Sequence, residues 1–307
     1  GKPLWEIFPR FRKVSGADLL FTDSDVDAIA GTGAEMAFLA LPHGVSVTYA
    51  RGLVEKGIRV VDLSADFRLR DPETYEEYYG TSHPDVPLMK EAVFGLPEWR
   101  KDEIAGARLV ASAGCYPTSI MLPLIPLLKK GLLELEGIVV NSSSGVSGAG
   151  RKANVDLLFC ECNESVRAYG VPKHRHLSEI EQELSWAAGE KVVISFTPHL
   201  VPVNTGICTT ISAKLKAGKS FDEVESALHA AYDASPFVRL LGRNRPADTK
   251  NVTRTNFVDL GWAWDERTGR VVLMSAEDNV VKGAGGQGVQ SFNIMFGFKE
   301  TEGLILL

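Results

Sequence analysis

The sequence lacks what a membrane, a polyanion or an oxidising compartment would call for. Its longest apolar runs, residues 38–42 and 120–128, are about half the ~20 residues that a membrane span needs, and the second contains two prolines. Lys and Arg number 33 against 39 Asp and Glu, a net charge of −6, so no basic field is available for nucleic acid. The four cysteines, at 115, 160, 162 and 208, form neither a CxxC pair nor a dense disulfide framework. Cys160 and Cys162 have no histidine at finger spacing, so no metal site is expected. Sparse cysteine and the lack of a secretory leader pattern point to a reducing, cytoplasmic setting. No G-x-G-x-x-G fingerprint follows a strand; the glycine-rich stretch 283–288 comes late, after a hairpin.

What is present is the composition of a globular chain, 45% hydrophobic and 23% charged, and its 307 residues exceed one ordinary core. Apolar runs at 34–41, 58–63 and 108–112 alternate with helical patterns, which predicts βαβ units and a buried parallel sheet. Ligands bind such sheets beyond the carboxyl ends of the strands. There lie Leu41, Pro42, His43 and Gly44, then Ser64 to Arg68, then Ser112 to Cys115. After 112 the pattern changes. Residues 207–215 alternate with period two, and 256–265 and 270–278 flank a Glu266-Arg267-Thr268-Gly269 turn, so an α+β unit with an open antiparallel sheet is expected. The predicted division is 1–112 with 284–307 in a first domain and 113–283 in a second.

Gly114-Cys115-Tyr116-Pro117-Thr118 reads as strand, tight turn and helix, with Pro117 at the first helical position. Cys115 just ahead of a helix start is either a nucleophile favoured as thiolate or a small apolar side chain at a strand end. Residues 143–151 form a glycine-rich loop whose backbone N–H groups are expected to face an anion, with Arg151 able to fork onto phosphate or carboxylate. His174-Arg175-His176 precedes a helix over 177–188 that carries Glu179 in its first turn. Arg68, Arg151 and Arg254 are candidate anchors for an anionic substrate, while His83 and His229 read as solvent-facing.

In this order, Ser112 to Thr118, Ser144 to Arg151, His174 to His176, Phe196-Thr197-Pro198-His199 and Asp278 to Gln287 resemble the N-acetyl-gamma-glutamyl-phosphate reductases of arginine biosynthesis. These belong to the Cys-dependent, NADP-linked semialdehyde dehydrogenases. The resemblance implies a Rossmann domain, an inserted α+β catalytic domain, and a last helix that packs back on the first. It puts the nucleophile at Cys115 and the acid/base in the histidine pair, His174 preferred over His176, with Glu179 tuning the imidazole. Ser144, Gly145, Ser147 and Arg151 match the anion loop, and His199 the substrate side. Leu41, Pro42, His43, Gly44, Asn279 and Gly283 match segments along NADP(H), and the strand-end Ser64 joins them. The small-molecule acyl phosphate is the implied partner, and the chain is expected to form a homo-oligomer, dimer or tetramer.

Three departures accompany the resemblance. A first strand, phosphate loop, first helix and second strand are implied ahead of Gly1, so the sequence is expected to be short of its N-terminus. Thr205 stands where the family usually has Arg, and Ser178 where it has Pro. Rival readings are a reductase of a longer, aminoadipyl-type acyl phosphate on a lysine route, a thiol acyltransferase or hydrolase, and a non-catalytic scaffold.

Overall fold

The computed structural model describes residues 1–23, 25–151 and 153–305, so the last two residues of the predicted first domain lie outside it. Four strands, β1 (Met36–Leu39), β2 (Arg59–Asp62), β3 (Val93–Gly95) and β4 (Leu109–Ser112), form an all-parallel sheet in the order β1-β2-β4-β3. Alternation assigns its two faces. Val60, Leu109 and Ala111 pack with Leu53 and Phe67, on the side of helix Ser46–Glu55. Val61 and Val110 pack with Ile294 and Met295 of the last long helix, Gly286–Met295. Burying each such aliphatic side chain contributes about 1.5–3 kcal/mol, which is why these short strands read as continuous apolar runs.

The second sheet has seven strands: β5 (Ile138–Ser144), β6 (Arg167–Ala168), β7 (Ile194–Leu200), β8 (Ile207–Lys214), β9 (Val238–Arg243), β10 (Val258–Asp265) and β11 (Arg270–Glu277), in the order β6-β7-β5-β8-β11-β10-β9. It is mixed rather than purely antiparallel. β5 pairs with β7, and β9 with β10, in parallel. Both pairs are joined by long connections, the first through helix Leu177–Ala188, as a parallel pair requires. The predicted hairpin is β10–β11, closed at Asp265 opposite Arg270.

Helices Cys115–Lys129, Leu177–Ala188 and Phe221–Tyr232 cover one face of this sheet in a single core with Val140, Ile211, Leu260 and Trp262. Helix Cys115–Lys129 contains Pro123 and Pro126, each of which removes an intrahelical donor, yet every residue from Tyr116 to Leu128 is buried. Tertiary packing holds a helix that local propensity opposes. The helix begins at Cys115, two residues earlier than the proline predicts, so the cysteine is its first residue.

Candidate active site

β4 runs directly into the Cys115 turn. Gly114 is extended, and a Cβ there would stand 2.8 Å from Arg68 Nη1, 2.9 Å from His176 Nε2 and 3.0 Å from Glu179 Oε1. Only a glycine lets these three groups close on the turn. Glu179, in the first turn of helix Leu177–Ala188, accepts from the Gly114 N–H at 3.2 Å and from Arg68 Nη1 at 2.9 Å. Arg68 Nη2 donates to the Leu63 carbonyl. Arg68 lines the larger cleft, but both of its Nη groups are bonded to protein, so it acts as an internal strut rather than as the open cation the sequence suggests.

The opposite wall of Cys115 is Gly283. A wide turn at Val281–Gly285, closed by Gly283 N–H to Asp278 O at 2.9 Å, brings it there. A Cβ on Gly283 would lie 2.6 Å from Cys115 Cβ, so bare backbone faces the cysteine. Lys282, fully buried, anchors this turn through Glu98 and Gln290.

Two cavities meet at Cys115. The smaller, about 330 Å³, is lined by Tyr116, Ser144, Gly145, Tyr169, His174 and Arg175 among others. The larger, about 850 Å³, runs along the carboxyl ends of β1 and β2 past Leu41, Pro42, His43 and Ser64 to Asn279 and Gly283. Cys115, Gly148, Ala149, Arg175 and His176 line both. The strand-end segments named from the sequence thus share one cleft. Gly44 lies beside it with its N–H on the Asp66 carboxylate, whose Oδ1 is also 2.5 Å from His43 Nδ1. Ser64 Oγ caps Asp62 at 2.6 Å.

The two histidines differ in position. His176 is buried, lines both cavities, and has Nε2 3.9 Å from Glu179 Oε1. His174 lines only the smaller cavity, and its Nδ1 accepts the His176 N–H at 3.1 Å. Geometry thus favours His176, reversing the order of preference read from the sequence.

The anion loop also departs from expectation. Five of its N–H groups are taken: Gly145 bonds to Gly206 O, Val146 to Val203 O and Ser147 to Asn204 O, while those of Gly148 and Gly150 turn back on the loop. Asn279 locks the same contact, accepting from Gly206 N–H at 2.7 Å and donating to Ser147 Oγ at 3.0 Å. Charge for an anion must come from side chains. Arg151 lines the larger cleft, as does Ser147. Arg175, exposed at the junction of both cavities, was not singled out in the sequence, although its place between two site histidines was a signal.

Two expected substrate residues are elsewhere. Strand parity sends Leu200 and its partner Ser144 to the small cavity, so His199 and its partner Ser143 take the other face of the sheet. Arg254 is exposed at a positive-φ turn with its backbone N–H on Asp278, and it lines neither cavity. His83 is buried, not solvent-facing: its Nε2 meets Asp66 O at 2.9 Å and Nδ1 accepts the Asp85 N–H.

Electrostatics correct one more expectation. Although Cys115 opens partly on the cavities, the packed protein around it, followed by the nearby Glu277 carboxyl, pushes the thiol up to about 12. The Tyr116 N–H and Arg68 work the other way. Burial, then Arg175, lowers His174 to about 4. Burial, with His174, Arg68 and Arg175, holds His176 well below the usual imidazole range. The resting site is thus a thiol beside two neutral imidazoles, not a thiolate–imidazolium pair, because desolvation outweighs the helix start. A neutral imidazole is what a thiol needs as proton acceptor.

A helix-start cysteine between a strand-end cleft and a smaller pocket fits one class, the semialdehyde dehydrogenases. Residues 1–107 match the family model "Semialdehyde dehydrogenase, NAD binding domain" and residues 115–279 match "Semialdehyde dehydrogenase, dimerisation domain". An aspartate semialdehyde dehydrogenase II from Vibrio cholerae shares the fold at 17% identity and TM-score 0.65, over 86% of this chain and 80% of that one. A probable aspartate-semialdehyde dehydrogenase from Pseudomonas aeruginosa does so at 18% and 0.64, over 91% and 85%. Sequence relatives narrow the class: an N-acetyl-gamma-glutamyl-phosphate reductase of Akkermansia muciniphila is 74% identical over 100% of this chain and 88% of its own length, and one of Geobacter metallireducens 48% over 99% and 87%. The chain belongs to the N-acetyl-gamma-glutamyl-phosphate reductase family.

Proposed function

We propose that this chain catalyses the NADPH-dependent reduction of N-acetyl-gamma-glutamyl phosphate to the semialdehyde with release of phosphate, a step of arginine biosynthesis. The observation that carries the reading is the junction of the two cavities at Cys115, so that an acyl group held on the cysteine from one side would face a reductant bound in the other. The larger cleft fits the nicotinamide end of a dinucleotide because Gly283 presents bare backbone where a Cβ would press on Cys115. Leu41, Pro42, His43, Ser64, Asn279 and Gly283 would hold it. Bound there, the cofactor supplies hydride to the acyl carbon.

The protein's own residues do the rest. His176 accepts the Cys115 proton as the acyl phosphate seats itself. Sulfur bonds to the acyl carbon, the carbon–oxygen bond to phosphate breaks, and the electron pair leaves with phosphate. Arg175 and Arg151 carry positive charge to the anionic ends of the substrate. The Gly114 N–H is committed to Glu179, so the Cys115 N–H, first of its helix, is the backbone donor for the developing oxyanion. The His176 imidazolium protonates the oxyanion left when the acyl carbon is reduced, then takes that proton back as the carbon–sulfur bond breaks, and returns it to the thiolate. Glu179 and Arg68 act through Gly114 and His176 as positioning residues.

The chain is proposed to work in the cytoplasm as a homo-oligomer assembled through its second domain. The match of 115–279 to a dimerisation domain supports this, and among the described residues no helix is long and apolar enough to cross a membrane. The test is Cys115→Ala, which should abolish both reduction and the reverse, phosphate-dependent oxidation while NADPH still binds. Retention of more than about a thousandth of the wild-type rate defeats the reading.

A further inference from the structure

Glu277, the last residue of β11, lies beside the nucleophile with no role in the chemistry above. It is fully buried, and among the described residues neither carboxyl oxygen has a hydrogen-bond partner. The point a Cβ on Gly283 would occupy lies 3.0 Å from Glu277 Oε1 and 2.6 Å from Cys115 Cβ, so carboxyl and cysteine flank one bare glycine.

The charged groups around the pair are already committed. Lys282 Nζ is held by Glu98 Oε1 at 2.6 Å and Gln290 Oε1 at 2.9 Å. The Asp278 carboxylate accepts the N–H groups of Val280, Val281 and Arg254. On the cysteine side Arg68 is bound to Glu179, and His176 is neutral. Among the described residues no cation is hydrogen-bonded to Glu277. Burial, with Asp278 and Glu98, drives its carboxyl well above the usual range, and only Lys282 opposes them. A buried carboxyl in such surroundings keeps its proton, and two adjacent buried groups resist holding two negative charges.

We propose that Glu277 is a positioning residue that stays protonated in the resting enzyme, and that the buried Cys115–Glu277 pair carries at most one negative charge. The thiolate then forms only while Glu277 is a neutral acid, and the thiol proton goes to His176. Loss of the Glu277 proton at alkaline pH suppresses the nucleophile. The inference rests on Cys115 being the nucleophile of the proposed reaction.

The experiment follows carbamidomethylation of Cys115 by iodoacetamide from pH 6 to 10, read by peptide mass spectrometry, in the wild-type chain, Glu277→Gln and Glu277→Leu. At pH 6 to 7 the three rates should agree within about twofold. By pH 9 the wild type should lag both variants by about tenfold, because its thiolate must form against a second charge. Its own profile should be broader than a single titration, a test that needs no variant to fold. Glu277→Leu leaves no unpaired oxygen in the site, so its folding does not depend on satisfying one. Superimposed profiles overturn the proposal, as does a tenfold faster Gln variant already at pH 7, which would mean a charged Glu277 at rest. Either of these with label on Cys115 spares the nucleophile reading. Alkylation of Cys115 that leaves reductase turnover intact overturns both.

Discussion

Arg68 Nη1 meets Glu179 Oε1 at 2.9 Å, two buried side chains 111 residues apart in sequence. The pair joins the loop after β2 to the helix that follows the two histidines. Through the Gly114 N–H, it also fixes the turn from which Cys115 projects. Burial raises the Glu179 carboxyl, while the guanidinium and the Gly114 N–H oppose that rise.

Removing one member should cost more than the pair contributes, because the other is left charged in a dry site. Glu179→Ala is expected to lower unfolding free energy by about 3–5 kcal/mol, read as the shift of a urea midpoint at constant m. A change below about 1 kcal/mol would mean that water reaches Arg68 and the strut carries little.

For the acid/base role, His176→Asn should lower kcat by about 10²–10⁴ with little change in KM. His174→Asn should do less, since His174 lines only the smaller cavity. Steady-state kinetics of the two variants decide the matter, and a larger kcat loss in His174→Asn returns the role to His174.

Local signals carried the fold and part of the site. The apolar run into Cys115, the helix after His176 and the period-two strand at Ile207–Lys214 all rest on neighbours in sequence, and the structure has each. The misses are long-range. Arg68 looks like a free cation until the fold delivers Glu179 to it. The glycine loop looks like a nest of donors until the strand-end segment 203–206 takes them. His199 is different: counting by two from Phe196 already assigns it to the face opposite Leu200, so its parity was legible. Glu277 ends an otherwise ordinary strand, and only packing brings it to Cys115.

Arg175 stands exposed where both cavities open, beside the path proposed for the anionic substrate. A hydrogen bond to a charged group contributes about 1.5–3 kcal/mol. Arg175→Ala should therefore raise KM for the acyl phosphate roughly 10- to 100-fold, with Arg175→Lys between the two. A KM within twofold of wild type, in kinetics at saturating NADPH, would move the anchoring role to Arg151.

Acid should weaken the fold through the buried histidines. His174 is held at about 4 in the folded chain, against about 6.5 unfolded. As pH falls below 6.5 the unfolded chain binds this proton first, so the stability contributed by the neutral imidazole, complete above 6.5, is lost down to about pH 4. After discounting for partial exposure, the loss is on the order of 2 kcal/mol. Glu277, raised by burial, acts in the opposite sense, favouring the fold at low pH. The readout is therefore the difference between wild type and His174→Asn in urea unfolding at pH 7.5, 6 and 5. That difference should shift toward the variant by 1 to 2 kcal/mol, roughly, as pH falls. Parallel curves for the two proteins would show that His174 titrates in the folded chain as it does in water.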